Sequence, residues 1–113
     1  MKMINTVNLE KGIRTDWNES YQLISAVAAA VEAYEEVDSK KKKGYFSNLM
    51  EDIEARDNAI RKAAHAVMNY SMKYQILKRP INLSSFQDCV KVLRTLGEAL
   101  NTISQRHLFT VAI

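Results

Sequence analysis

A chain of 113 residues, 47% apolar and 26% charged, is long enough for one domain with an ordinary core and too apolar to be disordered throughout. Its single cysteine, Cys89, excludes an internal disulfide, and no apolar run approaches the roughly twenty residues of a membrane helix. The net charge of +3 is unevenly divided: residues 1–57 hold eight Lys/Arg against eleven Asp/Glu, and residues 58–113 hold eight against only Asp88 and Glu98.

Three glycines and one proline leave long segments free of breakers, which favours helices. Residues 1–15 carry no helical period and read as an extended lead-in, with Met3, Ile4, Val7 and Leu9 ended by Gly12. Asp16 followed by Glu19 resembles a capping box opening a first long helix. Its apolar stripe would be Trp17, Tyr21, Ile24, Val27, Ala28, Val31 and Tyr34. Glu32, Glu35, Glu36 and Asp38 gather at its end, where the helix dipole disfavours acids, so they are expected to face cations. Residues 39–47, with lysine at 40, 41, 42 and 43, read as a lysine-rich linker.

Asn48 with Glu51 opens the longest segment, which Pro80 stops after Arg79. Positions 46, 49, 53, 56, 60, 63, 67, 70, 74 and 77 alternate by threes and fours, and all except Arg56 suit a seam between helices. Arg56, Asp57 and Asn58 leave two alternatives, one bent helix or two shorter ones. Ser84 with Gln87 caps a final helix to about His107, whose inner stripe is Phe86, Val90, Leu93, Leu96, Leu100 and Ile103. Residues 109–113 form an apolar tail expected to dock. The expectation is one all-α domain over residues 1–113: an antiparallel bundle of three long helices, or four if the second breaks near Asp57.

The basic half carries the functional signal. No acid occurs from Asn58 to Gln87. Asn58, Lys62, His65, Asn69 and Lys73 fall on one polar stripe opposite the seam, spanning about 22 Å at helical rise. Long cations with amide donors between them suit phosphate oxygens, and Arg61, Lys78, Arg79, Lys91 and Arg94 extend the field. An ordinary solvated face is the competing explanation, although such faces usually mix signs. The four lysines read either as a solvated loop or as a phosphate clamp. Tyr45, Phe46, Tyr70 and Tyr74 would suit base stacking, but at seam positions they read first as core.

Catalysis finds little support. His65 and His107 lack the Glu-x-x-His partner of a bundle metal site, one cysteine excludes the usual structural zinc, and there is no glycine-rich phosphate loop. No metal, cofactor or catalytic residue is therefore expected. Arg61 and His65 resemble the Arg-then-His signature of HEPN ribonucleases, but they stand closer together than that signature requires and are not taken as a catalytic pair.

In size, charge and helical make-up the chain resembles the small all-helical subunits of CRISPR surveillance complexes. That resemblance implies a non-enzymatic subunit of a larger ribonucleoprotein, present in several copies. It would hold an RNA or single-stranded DNA backbone through Arg61, Lys62, Lys73, Lys78, Lys91 and Arg94, with other protein subunits or copies of itself as neighbours. With no membrane span and no apolar leader after Lys2, the cytoplasm is the expected location. The alternative is a helical adaptor or inhibitor that binds another protein through its acidic first helix and apolar tail.

Overall fold

Residues 3–107 are described by the computed structural model, with side chains placed as far as Ser104. They form an all-α fold of three long helices and one short one: α1 Thr6–Thr15, α2 Trp17–Lys43, α3 Leu49–Tyr74 and α4 Phe86–His107. No helix among them is long and apolar enough to cross a membrane.

Asp16 joins the first two helices. Its backbone N–H donates to the Gly12 carbonyl and closes α1, while its carboxylate accepts the Glu19 N–H at 3.1 Å and opens α2. The Asp16 side-chain cap expected there thus forms, but the reciprocal half of a capping box does not, because Gly12 takes the Asp16 N–H and Lys73 takes the Glu19 carboxylate. At the far end of α2, Gly44 turns left-handed with φ of 73°. Its N–H donates to the Lys41 carbonyl, and the Tyr45 N–H donates to the Lys40 carbonyl. This paired pattern is a Schellman closure.

The short turn that follows sends α3 back antiparallel along α2. Lys40 meets Asp52 at 2.6 Å beside the turn, and Ser20 meets Tyr70 at 2.8 Å towards the other end. α4 packs on both helices. Leu23, Ile24 and Val27 of α2, Ile60, Ala63 and Val67 of α3, and Val92, Leu93, Leu96 and Leu100 of α4 join one buried cluster with Ile4, Leu9 and Ile13. Each buried branched side chain contributes about 1.5–3 kcal/mol relative to exposure.

Several sequence expectations are corrected. Residues 6–15 are helical rather than extended. The Asn5 side chain caps Asn8, and Leu9, Gly12 and Ile13 present one buried face too short to announce a period. Among the described residues only the short stretch before α1 is extended: Ile4 bridges Leu77, the Asn5 N–H donates to the Ile76 carbonyl at 2.7 Å, and the Lys78 N–H donates to the Met3 carbonyl at 2.9 Å. That pairing also ends α3 at Tyr74 instead of Arg79, because Ile76 and Leu77 are drawn to the N-terminal segment. Gln75 makes the exit in a left-handed conformation.

The lysines at 40–43 continue α2 and do not form a linker, since cations at a helix C-terminus complement its dipole. α3 runs unbroken through Arg56, Asp57 and Asn58. The Arg56 guanidinium forks onto Asp57 and lies 4.9 Å from the Phe86 ring centre, so its charge is accommodated beside the core. Asn48 precedes α3 as expected, but in a left-handed conformation and without a side-chain cap. Ser85, not Ser84, accepts the N–H three residues on, from Asp88, where α4 begins. Trp17 and Tyr21 are exposed, and the buried face of α2 runs instead through Ser20, Leu23, Ile24, Val27 and Ala30. The tail at 109–113 lies outside the described residues.

Gly12 is required by close approach. A Cβ built there would stand 2.2 Å from the Tyr70 hydroxyl oxygen and 3.1 Å from Cγ of Tyr74. Tyr70 is buried and cannot swing away. We predict that Gly12→Ala destabilises the fold by about 1–3 kcal/mol, overpacking outweighing the helix preference for alanine. Urea unfolding should show a smaller cost of the same change in a Tyr70→Phe background, where the closest contact is gone. Equal costs in both backgrounds would refute the contact.

Candidate nucleic-acid interface

The seam of α3 determines which of its side chains reach solvent. With Ile60, Ala63, Ala64, Val67 and Tyr70 turned inward, Asn58, Arg61, Lys62, His65 and Asn69 are all exposed on the remaining surface. Lys73 is exposed too, but engaged. Its Nζ lies 2.8 Å from Glu19 Oε2 and 3.7 Å from Asp16 Oδ2, and 5.4 Å from the Tyr74 ring centre. The hydrogen bond to Glu19 raises the Lys73 pKa in spite of partial desolvation. The polar stripe therefore ends at the acids of α2.

The connector after α3 carries Lys78 and Arg79, and α4 carries Lys91 and Arg94, all four exposed. The Arg94 guanidinium lies 4.7 Å from the Tyr34 ring centre, a cation–π contact that holds it against α2. Arg79 and Lys91 come together instead. With Met3, Pro80, Ile81 and Asp88 they line a cleft of about 270 Å³. Nothing in the sequence marks this cleft, because the N-terminal pairing brings Met3 to the connector. Burial pushes the Cys89 thiol of α4 up, and the Arg61 charge on α3 opposes that shift. Arg79 and Lys91 thus come together about the first turns of α4.

Several of the remaining cations are held by acids, although Lys11, Lys41 and Lys43 make no ion pair among the described residues. Lys40 is held by Asp52 and by Glu36 at 3.5 Å, Lys42 by Asp38 at 3.1 Å, and Arg56 by Asp57 at 2.9 Å. The hydrogen bond to Asp52 raises the Lys40 pKa. Of the acids at the end of α2, Glu36 and Asp38 thus face cations, both of them lysines of the same helix. By contrast Arg61, Lys62, Lys78, Arg79 and Lys91 make no ion pair among the described residues. Such a surface attracts anions, with Asp88 the one acid that shares the cleft of Arg79 and Lys91.

Among the described residues no group of three or more His, Cys, Asp and Glu side chains is placed to hold a metal. The side chain of His107 lies outside them. Compared with the models of known protein families, with curated proteins and with solved structures, the chain matches none.

The acids around Lys73 carry a pH signature. The Glu19 N–H, accepted by the Asp16 carboxylate, holds the Asp16 pKa below its ordinary value, and Lys73 adds to the effect. Because the folded pKa is the depressed one, Asp16 adds stability above the unfolded carboxylate range, and that contribution is lost as pH falls through the folded pKa. Asp16→Asn keeps a capping oxygen but removes the titration. Its urea midpoint should therefore fall less than that of the wild type between about pH 6 and pH 3. Parallel declines would exclude Asp16 as a source of the acid sensitivity.

Proposed function

We propose that this chain is a non-enzymatic helical protein that binds a nucleic-acid backbone without reading its sequence, as a subunit of a larger ribonucleoprotein. One observation carries the reading. Arg61, Lys62, Lys78, Arg79 and Lys91 are exposed and make no ion pair among the described residues, whereas Lys40, Lys42, Arg56 and Lys73 are held by acids and Arg94 by an aromatic ring. Phosphate contacts of this kind fix a strand in place, carry no base information and release counterions on binding. The outer surface of α3 adds Asn58, His65 and Asn69 as hydrogen-bonding groups between the cations. Lys73 and Arg94 fall out of the phosphate-binding group, because Glu19 and Tyr34 hold them.

A protein partner is the second reading, favoured by Trp17 and Tyr21. These two rings stand 6.1 Å apart and 46% and 57% exposed on α2. Aromatic side chains of this kind are common anchors in protein interfaces.

Fluorescence anisotropy with labelled oligonucleotides separates the two. With about five phosphates neutralised, affinity should drop roughly a hundredfold between 50 and 200 mM salt. The Lys62→Glu/Arg79→Glu/Lys91→Glu variant should bind far more weakly and with a shallower salt slope, by about one for each cation replaced. Trp17→Ala/Tyr21→Ala should leave nucleic-acid binding unchanged. Absence of binding at the lower salt would reject the reading and promote the aromatic pair.

A further inference from the structure

The turn between α2 and α3 presents three large apolar side chains to solvent within six residues: Tyr45 is 63% exposed, Phe46 65% and Met50 78%. Isolated exposed apolar residues are ordinary, but a run of them on one tip is not. The backbone beneath is fixed. A Schellman motif commonly tucks the apolar residue after its glycine back onto the helix. Here the glycine is Gly44 and the residue after it is Tyr45, which turns outward instead. The Phe46 carbonyl accepts the Leu49 N–H at 3.2 Å, and left-handed Asn48 starts α3 by accepting the Asp52 N–H at 3.0 Å. Both rings are thus displayed from a hydrogen-bonded turn.

Charge selects the occupant. Residues 40–52 hold four lysines against Glu51 and Asp52. Asp52 is taken by Lys40 and Asp38 by Lys42, whereas Lys41 and Lys43 are exposed near the rings in sequence and make no ion pair among the described residues. Aromatic faces set among free cations match a single strand, whose bases are unstacked and whose phosphates lie within reach. A duplex hides its base faces and offers only phosphates. We propose that this tip is a stacking platform for single-stranded nucleic acid, with Tyr45 and Phe46 against bases and Lys41 and Lys43 against the adjoining phosphates. The inference rests on the backbone-binding reading and adds strandedness and a second contact region to it.

Anisotropy with a short labelled oligothymidylate and an abasic strand of equal length tests the platform. Stacking predicts that the wild-type protein prefers the base-bearing strand by about tenfold or more. Tyr45→Ala/Phe46→Ala should erase that preference while keeping the affinity for the abasic strand and its salt dependence, and Tyr45→Trp should restore it in a Tyr45-deficient chain. Equal wild-type affinity for the two strands would overturn the platform and leave backbone binding standing. An unchanged preference in the double variant would overturn it as well. Binding of neither strand would overturn both readings together. Because both residues are exposed, unchanged helical circular dichroism and melting are expected of the variant.

Discussion

The buried hydroxyl of Tyr70 is the contact on which the arrangement of helices depends. Ser20 Oγ lies 2.7 Å from the Asp16 carbonyl, 3.2 Å from the Gly12 carbonyl and 2.8 Å from Tyr70 Oη. A serine has one proton to donate, and carbonyls only accept, so the tyrosine must be the donor in the third bond. Tyr70 thus reaches from α3 to the corner at which α1 ends and α2 begins. Only a glycine at position 12 lets α1 come close enough for that reach. Burial raises the Tyr70 pKa, which keeps the proton that the bond requires. Around this apolar-walled bond, Lys73, Asp16 and Glu19 form a solvent-facing cover.

That cover also shapes the electrostatic surface. The acids of the first half sit beside cations: Asp52 and Glu36 on Lys40, Asp38 on Lys42, Asp57 on Arg56, and Glu19 on Lys73. Such exposed pairs add little stability individually. Their larger effect is to cancel field locally, so uncancelled positive charge lies on the outer side of α3, on the connector, at the start of α4 and, through Lys41 and Lys43, at the turn between α2 and α3. The uneven division of charge along the sequence becomes an uneven division in space because α2 and α3 are antiparallel.

The long helices are legible in the sequence because their signals are local. The Asp16 cap, the breaker-free runs and the seam through Ile60, Val67 and Tyr70 each depend on residues within a few turns. α1 is hidden because ten residues around a glycine supply no period, and it is packing against α2 and α3 that makes it helical. The inner face of α2 escapes for a different reason. Its alanines make adjacent stripes almost equally apolar, and the true one contains polar Ser20, whose partner lies on another helix. The same limit applies to the basic residues. Lys62 and Lys73 are equivalent in sequence, and only the proximity of Glu19 across the hairpin separates a free cation from an engaged one.

The pairing of Ile4 with Leu77 ties the N-terminal segment to the connector across a loop of about seventy residues. The contact between α1 and α2, as from Ser20 to the Gly12 carbonyl, spans only eight residues. Met3 is held by the Ile4–Leu77 pairing beside Arg79 and Lys91, whose cleft it lines. Loosening that one pairing would dissolve the cleft even with the three long helices intact, so this part of the basic surface depends on the N-terminal segment rather than on the bundle.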